Sequence, residues 1–465
     1  MAWFQKRKQS ASLSSEEEAD RKTSYEDGYT DSPSRSLPSR EDGFRQLQQT
    51  LDRQGNQSKG MILKLYIENF RQLNETFGYD YCEALLDQII SYLEQVSHNT
   101  VYRYIGVEFF IILKDYSTGQ ATVLAEKILD QFGHVWKVSG TDCLCSVQIG
   151  MCPYPGYTFS ASEMMKFLDM ALSEAAESGP NQYAVYDSEM QASFSRKQAI
   201  ARYLQTALDN DEIDVTFWPA YNIQEEKFTM AKYYMKIFIK GIGMVGAGEF
   251  LPIAEDSGQI RSVEYYALNR IGQCIRRLLD EGKEFDFISL PISSVLFLQE
   301  DFLDKIQEII DMYDIPRGKL AIELKDSVFT TAYLNISVLL QELSQMGVEL
   351  VLGSYGSGMA SLSAILDLPV SSLKLDRMFL WQMENDPRAE IVITDLVDIA
   401  KKLSLHVIAE GVETEKQVSA LSKAGCIYQA GFYYSSTVKE HTLIRLIGEN
   451  RETGLRLCAE EQHQA

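Results

Sequence analysis

"LHVIAEGVETEKQVSALSKAGCIYQAGFYY", residues 405–434, reads as strand, helix, strand. Short apolar runs stand at both ends, and the charged stretch between them has the pattern of an amphipathic helix. Working back along the chain, the same unit recurs. Strand candidates are "VTFWPAYNI", "MAKYYMKIF", "FDFISLPIS", "KLAIELKD", "ELVLGSY" and "SLKLDR", with amphipathic helices between most of them. Eight strands alternating with helices across residues 195–450 imply a (β/α)8 TIM-like barrel, whose functional groups gather at the strand C-termini.

The region before it follows a different order. "MILKLYIENF" alternates as a strand and "RQLNETFGYDYCEALLDQIISYLEQV" has helical periodicity. "TVYRYIGVEFFIILKD" then reads as two strands about a tight turn at Gly106. A helix, the strand "LCSVQIGMCPY" and a further helix complete a β-α-β-β-α-β-α order over residues 58–190. That order implies an α/β sandwich of the ferredoxin-like kind. Residues 1–57 are rich in Ser, Glu, Asp, Arg and Gln and read as a disordered polar tail, and 451–465 as a C-terminal tail. "DSEMQASFSRKQAI" between the domains suits a continuous helix.

Composition narrows the function classes. Sixty-six acidic residues against 44 basic ones give a net charge of -22, which argues against nucleic-acid binding. No run of about 18 apolar residues stands out as a membrane span. "MAWFQKRKQS" lacks the apolar core of a signal peptide and reads as the end of a disordered tail, with contact to an anionic membrane surface or a partner groove as the alternative. Seven scattered cysteines suit a reducing, cytoplasmic setting. Cys143-Leu144-Cys145 has no second Cys/His pair to complete a zinc site and reads as an alternating strand.

"EFLPIAEDSGQI", "SLKLDRMF" and "VIAEGVETEKQ" resemble the EAL family of cyclic di-GMP phosphodiesterases, and the preceding domain resembles the GGDEF family of diguanylate cyclases. The resemblance covers residues 58–450 and implies a cyclase-type sandwich (GGDEF-like) followed by an EAL-like barrel. It also implies two divalent metals in the barrel, held by carboxylates and an amide. Set against those ligands, this chain departs. Lys232 stands at the glutamate of the Glu-Ala-Leu signature, Pro291 at the asparagine, and Gly353 and Ser354 at the paired aspartates. Lys236 stands at the phosphate-binding arginine, Trp218 at the glutamine of a Tyr-Gln-Pro turn, and Ala430 at the late glutamine, which a one-residue shift would restore as Gln429. Glu323, Lys374, Asp376 and Glu410 survive. An ammonium does not ligate a metal, so the expectation is that Lys232 fills the former metal cavity in a salt-bridged network, the alternative being that it faces solvent.

The GGDEF signature aligns with Ile105, Gly106, Val107, Glu108 and Phe109. Val107 and Tyr66 replace its metal-binding aspartates, and Ile105 replaces a glycine that admits the nucleotide. Asn74, at the guanine-contacting position, and Glu108 survive, with a structural role expected and residual GTP binding as the alternative. The inhibitory Arg-x-x-Asp site aligns with Val96–Asn99 and is lost. The resemblance thus implies a pseudoenzyme with neither activity, no cofactor and no metal. Its expected role is a regulatory interaction module in bacterial signalling, with an unidentified protein partner and a possible homodimer through the barrel. The alternative is a receptor that binds cyclic di-GMP in the barrel mouth through Trp218, Lys236, Lys374 and Gln429 without cutting it.

Overall fold

Gly60–Ile67 (β1) is buried at seven of its eight positions, because both faces of this strand are covered. Met61, Leu63, Leu65 and Ile67 point into one apolar cluster with the helices Tyr79–Ser97 and Thr118–Phe132. Ile62 points into another with the helix Ala161–Glu177. The computed structural model describes residues 38–52, 59–324, 333–355, 366, 368–383 and 386–462. They fall into two compact units that divide at Ser195/Arg196, inside the continuous helix Ser188–Asp209.

The first unit is a five-stranded sheet. After β1 come Val101–Arg103 (β2) and Glu108–Lys114 (β3), then Trp136–Val138 (β4) and Thr141–Cys143 (β5), then Val147–Tyr154 (β6) and Gln182–Val185 (β7). The order is β2-β3-β1-β6-β7, antiparallel except between β6 and β7. β4 and β5 form a separate hairpin that the alternation pattern did not reveal. Cys143 and Cys145 are buried and Leu144 is exposed, although the strand itself stops at Cys143.

Two tails differ from expectation. Residues 1–37 lie outside the described residues, but Arg40–Asp52 is a helix that buries Gly43, Leu47, Thr50 and Leu51. Its polar composition hid a narrow i, i+4, i+7, i+8 stripe. A Cβ on Gly43 would stand 2.6 Å from the Phe110 ring, so the helix lies directly on the sheet there. At the other end, Arg451–Gln462 is also helical and buries Leu457 and Cys458, with Gly454 against the Phe228 ring.

The second unit is a closed ring of eight strands with a ninth, short strand at its edge. In chain order they are Ile213–Asn222 (β8), Lys227–Ile239 (β9), Gly243–Gly246 (β10, an edge strand on β9), Phe287–Ile292 (β11), Leu320–Leu324 (β12), Glu349–Tyr355 (β13), Ser372–Leu375 (β14), His406–Glu410 (β15) and Tyr428–Ala430 (β16). β8 pairs with both β9 and β16, which closes the barrel. All eight strand candidates from the sequence are present. One feature differs from a uniform (β/α)8 pattern: β8 runs antiparallel to both neighbours. A four-residue link from β8 to β9 is long enough only for a hairpin, whereas a parallel pair needs a crossover of a dozen residues or more.

Period-two alternation sorts each strand. On β9, Tyr233, Met235 and Ile237 face the helices, while Met230 enters the barrel. Met230, Phe287, Ala321, Val351, Ile408 and Tyr428 make an apolar floor inside the ring. Two places further along, β9, β11, β12 and β15 present Lys232, Ser289, Glu323 and Glu410, whereas β13 and β16 bring Gly353 and Ala430.

The Arg40–Asp52 helix is part of the folded first unit, so Leu47→Ala should destabilise that unit by about 2–5 kcal/mol. Urea unfolding followed by circular dichroism measures this; an unchanged midpoint would mean the helix does not dock.

Candidate functional site

Above the apolar floor, strand alternation aims Lys232 (β9), Ser289 (β11), Glu323 (β12), Lys374 (β14) and Glu410 (β15) into the barrel. Lys232 Nζ lies 3.2 Å from Glu323 Oε2 and 3.4 Å from Glu410 Oε1. Lys374 Nζ bridges the same two acids, on Glu323 Oε2 and 3.1 Å from Glu410 Oε1. Ser289 Oγ donates to Glu323 Oε1 at 2.7 Å. The side chains of Glu323 and Lys374 are 6% and 7% exposed, so these charges depend on one another rather than on water.

The electrostatics follow from that enclosure. Burial works against ionised Glu323, but the Lys232 and Lys374 ammoniums overcome it and hold its carboxyl well below the usual range. Lys232 is also penalised by burial, yet Glu323 and Glu410 raise its pKa above that of an ordinary lysine. Burial dominates for Lys374 and pulls its pKa down, helped by the charge on Lys232 and opposed by both glutamates. Lys232 further lies 5.1 Å from the Tyr234 ring centroid. The Tyr234 phenol is pushed up to about 12, by burial first.

Lys232 thus faces the barrel interior and not solvent. A divalent cation fits this layer poorly, because ammonium groups already stand against both carboxylates and contribute no lone pair. Among the described residues, no group of three or more His, Cys, Asp or Glu side chains is arranged to hold a metal.

The remaining candidate positions divide. Pro291 is beside Glu323 in the β11–β12 register. Gly353 comes so close to β12 that a Cβ there would stand 3.1 Å from the Leu324 carbonyl oxygen. Ser354 falls in the irregular part of β13, and its side chain lies outside the described residues. Asp376 caps the helix Arg377–Gln382, accepting from Met378 N–H at 2.8 Å. Ala430 packs among the apolar floor residues. Gln429 cannot stand in for it. Tyr434 O–H donates to its Oε1 at 2.8 Å and its amide donates to the Cys426 carbonyl at 3.2 Å, away from the mouth. Lys236 lies opposite Asp214 and Gly246, outside the cleft described next.

That cleft occupies about 260 Å3 at the barrel mouth and is lined by Trp218, Tyr234, Lys374, Arg377, Glu410 and Phe432 among others. Sequence reasoning missed Ser289, Tyr234, Arg377 and Phe432. Alternation in "FISLPI" was the available signal for Ser289; Phe432 follows β16 in a turn whose direction no periodicity encodes.

In the first unit, Lys64 is 2% exposed on β1, its Nζ 2.6 Å from Glu108 Oε2, against Asp169, and 4.2 Å from the Tyr104 ring centroid. Nothing in the sequence reading singled out Lys64. Tyr66, Asn74, Gly106 and Val107 line one cleft of about 590 Å3, and half-exposed Ile105 lies outside its lining. Gly106 takes φ 55° in the β2–β3 turn.

The EAL domain profile matches residues 201–437, and that of the diguanylate cyclase, GGDEF domain, residues 29–182. The chain belongs to the EAL domain family and carries a GGDEF domain ahead of it. Signaling protein YkoW of Bacillus subtilis is 27% identical over 86% of this chain and 51% of its own length. The bifunctional diguanylate cyclase/cyclic di-GMP phosphodiesterase MucR of Pseudomonas aeruginosa is 26% identical over 80% of this chain and 54% of its own. The chain therefore spans about half the length of the curated relatives it matches. Among solved structures, the Vibrio cholerae LapD S helix-GGDEF-EAL structure, bound to c-di-GMP, shares the fold. It matches with TM-score 0.55 at 20% identity over 90% of this chain and 98% of that one. No helix among the described residues is long and apolar enough to cross a membrane.

Glu323→Gln leaves two buried ammoniums with one counter-charge and should cost about 3–5 kcal/mol at neutral pH. Because the folded pKa of Glu323 is depressed, its contribution is complete above the unfolded value of about 4.3 and is lost as pH falls through the folded value. Urea midpoints between pH 3 and 7 should therefore fall steeply with acid in the parent chain and more gently in the variant. Parallel pH profiles would contradict this placement of the charge.

Proposed function

We propose that this chain is a catalytically silent GGDEF–EAL protein of cyclic di-GMP signalling that acts as a regulatory protein-interaction module. The observation that carries the reading is the pair of ammoniums, Lys232 and Lys374, each bridging Glu323 and Glu410 where a hydrolytic barrel would place metal ions. Metal-assisted hydrolysis needs a cation that binds and activates water. An ammonium supplies charge without an open coordination position. In the GGDEF half, Tyr66 and Val107 line the cleft and neither brings a carboxylate, which supports the reading that they replace the metal aspartates.

A second reading, a non-hydrolysing cyclic di-GMP receptor, has one observation in its favour: Trp218 and Lys374 both line the mouth, offering a stacking surface and a cation. Against it, Lys374 is already paired with two carboxylates, and Gln429 and Lys236 lie elsewhere.

The purified chain, incubated with cyclic di-GMP and Mg2+ or Mn2+, should yield no linear dinucleotide by chromatography. Its melting temperature should stay constant as the dinucleotide is added. Turnover would sink the proposal. A metal-independent rise in melting temperature would install the receptor reading, since a ligand bound only by the native state raises stability in proportion to the logarithm of its concentration.

A further inference from the structure

The mouth of the barrel has a charge and ring pattern of its own. Trp218 stands between Phe432 and Tyr234, with centroid separations of 5.5 and 6.0 Å and planes inclined at 46° and 55°. Its indole N–H donates to the Ser435 carbonyl at 3.3 Å, which fixes the ring. Phe432 is 64% exposed. Neighbouring rings already carry cations, Lys232 at 5.1 Å from the Tyr234 centroid and Arg377 at 4.9 Å from that of Trp381. Among the described residues, no such cation faces Trp218 or Phe432.

Among the described residues, the charges around these rings do not balance: Lys232, Lys374 and Arg377 are set against Glu323, Asp376, Glu410 and Glu413. Both lysines share Oε1 of Glu410, a residue that lines the cleft, and among the described residues no hydrogen bond is made to its Oε2. Glu413 is exposed on the cleft wall. An anion entering the mouth meets a surplus carboxylate, whereas a cation meets that carboxylate and the faces of two unclaimed rings. The cleft's volume of about 260 Å3 has room for a single side chain.

We propose that this cleft receives a guanidinium side chain of a partner protein, seated on Trp218 and Phe432 and paired with Glu413 and Glu410 Oε2. The inference rests on reading the barrel as a non-hydrolysing interaction module, and names the chemistry which that module recognises. Arginine fits better than lysine, because a planar guanidinium stacks on the rings while its N–H groups reach a carboxylate.

The test is a titration of the full chain, followed by calorimetry, with a blocked Gly-Arg-Gly peptide, its citrulline counterpart, agmatine and cyclic di-GMP. The arginine peptide should bind saturably and more tightly than agmatine, and the uncharged citrulline peptide at least about tenfold more weakly, a difference of about 1.4 kcal/mol. Phe432→Ala and Glu413→Gln, both at exposed positions, should each weaken the arginine peptide about fivefold. No arginine binding, equal binding of citrulline, tighter binding of agmatine, or unaffected variants would each overturn the proposal. Hydrolysis of cyclic di-GMP by the same preparation would instead remove the underlying reading. Absence of both hydrolysis and arginine binding would remove this inference alone.

Discussion

A carboxylate enclosed in a protein interior needs cations or hydrogen-bond donors to remain an anion, and in this barrel Glu323 has two ammoniums and a hydroxyl. The rest of the second unit is arranged around that requirement. The apolar floor of Met230, Phe287, Ala321, Val351, Ile408 and Tyr428 closes the barrel below it. β9, β12, β14 and β15 then deliver Lys232, Glu323, Lys374 and Glu410 to one polar layer, where two ammoniums and two carboxylates balance. Removing one member leaves the others unpaired at a depth where water does not compensate. In this layer the two glutamates and two lysines form a closed set of ion pairs.

The first unit repeats the device independently. Lys64 on the central strand is held between Glu108 and Asp169 and under Tyr104. Glu108, at the start of β3, serves here as a counter-ion of that buried lysine. In each unit, then, a lysine on an inner strand reaches two carboxylates and an aromatic face. A buried ammonium needs several acceptors and tolerates a π-face as one of them. The shared solution reflects that need, whatever the history of either half.

Much of the fold was legible because strand and helix periods differ. All eight barrel strands were marked by short apolar runs, and Lys232, Glu323, Lys374 and Glu410 could be placed at one layer by matching motifs. The misreadings have physical causes. The Arg40–Asp52 helix buries a narrow stripe within a polar segment, which composition conceals. The reversed β8 follows from the length of one link and not from the pattern of the strand. Gln429 looked like a ligand one residue out of place, but a one-residue step along a strand turns a side chain to the opposite face. There it bonds Tyr434 and Cys426. Asp376 was read with the ion network; it caps a helix through one oxygen and lines the same cleft as Lys374 and Glu410.

By itself the sequence determined the alternation of elements, the residue types on each inward face, and the absence of a carboxylate at position 232. These are local properties, carried by period and identity. Tertiary structure alone decided that Lys232 and Lys374 share the same two glutamates, that Ser289 completes the set, and that Trp218 and Phe432 meet across the mouth. These partners come from strands far apart in the chain. Their distances are set by barrel closure, which depends on how all eight strands register against one another and is written in no single segment.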